Sequence, residues 1–143
     1  MGFKLERVHI WSSDIVDQAG GMAGKLASLA QAGANLEYIS TRRQPERPGS
    51  GILYVAPVTG PAQVRAARLA GLSEVHDPVV IRVEGDNEAG LGSRLTQQWA
   101  LAGINLQGLT MAVLGGKFVG FAAFDSVTDA NRAAQILADL GSS

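Results

Sequence analysis

Apolar positions along the chain switch between the two periods of regular structure in a fixed order. Val79, Ile81 and Val83 alternate with Val80 and Arg82 as a strand does, and Gly85 closes that run. Leu91, Leu95, Trp99 and Ala102 then recur at helical spacing, with Asn87 as a good N-cap and Glu88 adding negative charge to the first turn. Gly103 stops this helix, which spans about residues 89–102, and Ile104-Asn105-Leu106 opens a strand over 105–114. Gly115-Gly116 marks a tight hairpin, Lys117 to Phe124 is the return strand, and a last helix from Thr128 or Asp129 aligns Ala133, Ile136, Leu137 and Leu140.

The same order occurs earlier in the chain. Leu5 to Ser12 reads as a strand with Val8 and Ile10 inward and His9 and Trp11 outward, followed by a turn at Asp17. A helix over about 19–32 buries Met22, Leu26, Leu29 and Ala30, and a strand runs from Asn35 to about Arg42. The stretch from Arg43 to Ser50, with two prolines and a glycine among charges, is a solvated hairpin loop leading to Gly51–Ala56. Pro61 suits the first position of the next helix, where Val64, Ala67 and Leu69 pack before Gly71, and Ser73 to Asp77 is a short extended piece.

These halves are an internal repeat. The pairs Ala19/Ala89, Gly20/Gly90, Ala30/Ala100, Ala32/Ala102, Gly33/Gly103, Asn35/Asn105 and Leu36/Leu106 are identical at one constant offset, and Arg132-Ala133-Ala134 echoes Arg65-Ala66-Ala67. Strand, helix, strand, strand, helix, strand is the ferredoxin-like βαββαβ order, an α+β fold with antiparallel sheets and both helices on one face. Residues 1–77 and 78–143 are the two repeats. The second is one strand short, because only Gly141-Ser142-Ser143 follow the last helix, and the edge at Val79 to Val83 is left open.

A strand, an acidic turn ending in glycine, an amphipathic helix and then Ala-Gly-(Ala or Ile)-Asn-Leu resemble the ACT domain, here as two tandem copies covering nearly the whole chain. Ala32 to Ile39 and Ala102 to Leu109 look especially like small proteins made only of two such domains. The family's Asp-(Arg or Lys)-Pro-Gly turn reads Asp17-Gln18-Ala19-Gly20 and Asn87-Glu88-Ala89-Gly90 here, without either proline or basic residue. The resemblance implies a regulatory protein that senses an amino acid or similar carboxylate at the repeat or dimer interface. It also implies a homodimer that acts on a partner enzyme or regulator in trans. A module that uses the fold for assembly alone is the competing expectation.

The helix starts supply the candidate chemistry. Unpaired backbone N–H groups and the positive end of the helix dipole hold carboxylates, and glycine lets a ligand approach the backbone closely. The candidate ligand-binding residues are Asp17, Gln18, Ala19, Gly20, Gly21 and Met22 in the first copy, with Asn35 at the nearby strand start. In the second they are Asn87, Glu88, Ala89, Gly90, Leu91 and Gly92, with Asn105. The bland alternative is that the glycines only permit tight turns, and Gly90→Val is expected to separate the two by removing binding without unfolding the chain. Gly20 to Lys25 imitates a phosphate loop but has Ala19 and Leu26 at two required positions, and Gly90-Leu91-Gly92 meets Leu95 where a dinucleotide fingerprint needs glycine.

Composition narrows the classes further. A net charge of −1 across 143 residues gives no footprint for nucleic acid. There is no cysteine, no run approaches a membrane span, and the start lacks the apolar core of a signal peptide, so a cytoplasmic protein without membrane contact is expected. His9 and His76 have no acidic neighbours at triad or metal-binding spacing, so neither an enzyme nor a metal or cofactor is expected. Arg42, Arg43 and Arg47 offer an anion contact, but a solvated loop is the simpler account, since Glu46 interrupts the charge and no aromatic residues interleave.

Overall fold

The computed structural model describes residues 2–141. Its elements are β1 (Lys4–Val8), β2 (Trp11–Val16), α1 (Ala23–Gln31), β3 (Tyr38–Arg43), β4 (Ser50–Ala56), α2 (Gly60–Leu69), β5 (Ser73–Glu74), β6 (Val79–Asp86), α3 (Leu91–Leu101), β7 (Leu106–Leu114), β8 (Lys117–Phe124) and α4 (Val127–Gly141). Two antiparallel sheets form, in the orders β3-β4-β2-β5 and β1-β6-β8-β7, each with its two helices on one face. Both have the tandem ACT-type, ferredoxin-like topology.

The unit His9–Val75 is a complete βαββαβ repeat. Trp11, Leu29, Leu53, Val55, Ala67 and Leu72 form its core, with Ile15, Met22, Leu26 and Val64 packed around them. Ile10 is buried and His9 exposed as expected, but Trp11 is not turned outward. Trp11 is 5% exposed and faces the helices, because Trp11 and Ile15 lie opposite Val55 and Gly51 on the inner row of the sheet. Ala30 and Leu69, expected inside, are exposed, and Leu69 keeps 82% of its surface. Lys25, the residue that imitates a phosphate-loop lysine, donates from Nζ to the Ala70 carbonyl at 2.5 Å and so satisfies the C-terminal end of α2.

The other unit joins the residues up to Val8 to those from His76 onward. Its core is larger: Val79, Ile81, Val83, Leu91, Leu95, Trp99, Phe118, Ala122, Phe124 and Leu137 are all buried. Trp99 sits edge-on to Phe124, with centroids 5.5 Å apart, and donates its indole N–H to the Ala133 carbonyl at 3.2 Å, which ties α3 to α4.

The fourth strand that the second repeat lacks comes from the start of the chain. β1 pairs antiparallel with β6 from Lys4↔Glu84 to Val8↔Val80, so the edge expected to stand open is covered by the leading part of the strand expected to open the first repeat. The single first strand expected from Leu5 to Ser12 is therefore two strands in different sheets, separated at His9 and Ile10. This division differs from one in chain order after residue 77 in where it places β1. Phe3 and Leu5 pack on the second core, with Phe3 edge-on to Phe118 at 6.0 Å. On the opposite face Lys4 lies across from Glu84 and Glu6 from Arg82, so unlike charges meet across the ladder.

Deleting residues 1–8 should expose the β6 amides that face β1, which hydrogen exchange reads as protection lost on one side of that strand first; unchanged protection would show that β1 does not seal the edge. Arg82 donates to Glu84 at 2.7 Å and, with Lys4 and Lys117, holds the Glu84 carboxyl below its ordinary pKa. A depressed carboxyl stabilises the fold above its unfolded pKa, and that contribution disappears as pH falls through the folded value. Glu84→Gln should therefore lower stability near neutral pH and converge with the parent chain in acid, by urea titration at several pH values.

Candidate functional site

The turn between β2 and α1 is built by its backbone. Gly20 has φ +85°, which favours glycine, and a Cβ on Gly21 would lie 2.0 Å from the Val16 carbonyl oxygen. The turn is tied to the β3–β4 loop, since Asp17 donates its N–H to the Gly49 carbonyl at 2.9 Å. The second repeat repeats the device: Gly90 has φ +80°, and the Asn87 N–H donates to the Gly116 carbonyl at 2.9 Å. Each hairpin tip therefore fixes the start of the helix turn in its own repeat.

The first turn opens on a groove of about 540 Å³ lined by Asp17, Gln18, Ala19, Gly20 and Met22 among the expected residues. Ile15, Val16, Ala23, Thr41, Arg42, Arg43 and Gly51 complete it. Arg43 donates from Nε to Asp17 Oδ2 at 2.8 Å, and its side chain is 83% exposed against 35% for Asp17. Nearby, Arg47 reaches Asp14 at 3.0 Å and Gln44 donates to the same carboxylate at 3.4 Å. The arginine-bearing loop is solvated, as expected, and also strapped to β2 and its following turn.

Chemically, the groove brings together an acid, a guanidinium engaged through Nε, and the N-terminus of α1, whose leading N–H groups have no partner within the helix. It has the charges of both ends of a zwitterion. Sequence spacing missed Ile15, Thr41 and Gly51 as lining residues. They arrive through strand pairing, Arg42↔Ile52 and Ile15↔Gly51, and pairing partners carry no mark in one sequence.

Asn35 and Asn105 stand elsewhere. Both are exposed and follow the C-terminal ends of α1 and α3, so a helix of nine residues, about 14 Å at 1.5 Å per residue, separates Asn35 from the turn. An eleven-residue helix separates Asn105 from its own turn.

The second turn is arranged differently. The residue preceding α3 is Gly90 and not Asn87, so Glu88 lies outside the first turn, where it pairs with Arg94. Leu91 is buried in the core, and a Cβ on Gly92 would meet only Met111 Sδ, at 3.7 Å. Lys117 pairs with Asp86 beside this turn, which raises the lysine pKa. Gly90→Val is not the clean binding test expected, since a β-branched residue at φ +80° strains the turn itself.

Among the described residues no His, Asp and Glu cluster fit to hold a metal ion occurs, and no helix is long and apolar enough to cross a membrane.

No protein-family model matches the sequence, and no curated protein matches it. Solved structures do. A Bacteroides thetaiotaomicron protein superposes with a TM-score of 0.76 at 12% identity, over 95% of this chain and 90% of that one. The ligand-free regulatory subunit of aspartate kinase from Thermus thermophilus gives 0.65 at 17% identity, over 96% and 93%. Aspartokinase III of E. coli, in complex with aspartate and ADP, gives 0.57 at 14% identity, over 94% of this chain and 32% of that enzyme. The fold of this chain is the tandem ACT-type fold of aspartate kinase regulatory subunits.

Proposed function

We propose that the protein is a small-molecule-binding regulatory protein of ACT type, with an amino acid or similar carboxylate as ligand and a partner protein as its target. The groove at the β2–α1 turn supports this reading most. Its volume, about 540 Å³, suits a small ligand. A ligand carboxylate placed there meets the α1 N-terminus and the free edge of the Arg43 guanidinium, while Asp17 offers an acceptor for an α-ammonium. The similar E. coli enzyme is in complex with aspartate and ADP, which makes an acidic amino acid the first ligand to try.

The turn geometry favours a second reading. Positive φ at Gly20 and Gly90 and the tight approach at Gly21 account for these glycines without any ligand, as a pure assembly module requires. Melting curves against the common amino acids and their carboxylate analogues separate the two readings. A sensor shows a saturable rise in melting temperature with one of them, and an assembly module shows none. Arg43→Ala should weaken that binding roughly tenfold or more, the loss of about 1.5–3 kcal/mol from hydrogen bonds to a charged group, while leaving the unliganded melting curve nearly unchanged. Asp17→Asn should do likewise for amino acids and spare simple carboxylates.

The assembly we propose is a homodimer with an interface of roughly 1,600 Å² in total. With β6 covered by β1, the edge strands are β1 and β7 of one sheet and β3 and β5 of the other. Sedimentation equilibrium at micromolar concentration should return twice 14.9 kDa, and a monomer of that mass would rule the dimer out.

A further inference from the structure

From the outer face of α2 we infer a docking surface for an acidic, amphipathic helix of a different protein. Pro61, Val64, Arg65, Arg68 and Leu69 line a groove of about 480 Å³, and their spacing is that of one stripe along a helix. Leu69 is 82% exposed at its end. No carboxylate among the described residues pairs with Arg65 or Arg68, and α2 itself has no acidic residue. Arg68 is held over the Trp11 ring, 6.0 Å from its centroid, so its charge is positioned at the groove without being neutralised.

The second repeat is an internal control. Arg132, the counterpart of Arg65, donates to the Ala102 carbonyl at 2.7 Å and lies 3.6 Å from Asp129. Gln135 replaces Arg68, and Ile136, in the place of Leu69, packs against the core. The same element is thus closed in one repeat and left cationic and apolar in the other.

Charge decides the occupant. A second copy does not fit, because α1, α2 and α3 contain no acid, while Asp129 and Asp139 of α4 are engaged by Arg132 and Gln135. A lipid surface fits poorly, since α2 has ten residues with two cations and the whole chain is net negative. Carboxylates spaced one turn apart beside a leucine or phenylalanine would match Arg65, Arg68 and the Val64–Leu69 groove. This surface is the output side of the regulatory reading and rests on that reading for its purpose, but its binding needs no small ligand.

The test is selection by the full chain, without added ligand, from a displayed library of random peptides of roughly sixteen residues, about four helical turns. The expected winners contain acidic residues one turn apart beside large apolar ones. Their affinity should fall roughly tenfold or more on R65E/R68E and on Leu69→Ser, and should not change on Leu101→Ser, an equally exposed leucine of α3. No enrichment, enrichment of basic or uncharged peptides, or binding indifferent to the α2 variants would overturn the proposal. So would sedimentation with vesicles containing phosphatidylserine, or self-association, lost on R65E/R68E while peptide binding is not. Failure here leaves the melting-curve test of the groove untouched, and a ligandless chain that still selects acidic helices would separate the two proposals.

Discussion

The ladder between β1 and β6 is the constraint on which the second unit depends. β6 carries an apolar run, Val79, Val80, Ile81 and Val83, all buried, and it lies between β8 and β1. Without a neighbour on the β1 side its backbone would present unpaired donors and acceptors beside that apolar run. The five residues of β1 remove that liability, and Leu5, with Phe3 just ahead of the strand, packs on the core. Their charged face also meets unlike charge on β6, so the pairing is specified on both sides of the strand.

Within each repeat, a hairpin tip holds the start of the helix turn through one backbone hydrogen bond, from Asp17 to Gly49 and from Asn87 to Gly116. Chemistry diverges on that shared frame. In the first repeat the turn acid meets an arginine from β3 and a groove lies between them, whereas in the second the turn acid folds back on Arg94 of its own helix. The repeats diverge again at α2 and α4, where one arginine remains unpaired by acid and its counterpart is tied down.

Much of the fold was legible in one sequence because its signals are local. The β7–β8 hairpin follows from Gly115-Gly116, α3 from Leu91, Leu95 and Trp99, and the tandem order from the paired glycines and Asn-Leu steps. The failures are nonlocal. Nothing near Lys4 to Val8 indicates a partner at Val80 to Glu84, so two strands read as one, and with them the facing of Trp11 was inverted. At the turn, the polar residues of Asp17 to Met22 were visible as a cluster, but Thr41, Arg43 and Gly51 join them only through the β3–β4 pairing. Asn35 and Asn105 misled for the opposite reason: nearness in a motif became distance once a helix stood between them.

The route of the chain also sets an order of assembly. Everything the first complete repeat needs lies between His9 and Val75, so that repeat has all its strands once residue 75 has been made. The other unit must wait. Its β1 precedes that repeat in the chain, so Lys4 cannot meet Glu84 until the intervening repeat and β6 have followed. The β1–β6 contact is the one of longest sequence separation in its sheet, the kind whose loop closure is slowest. Of the strands in its sheet, β1 is the one separated from its neighbour by the most chain.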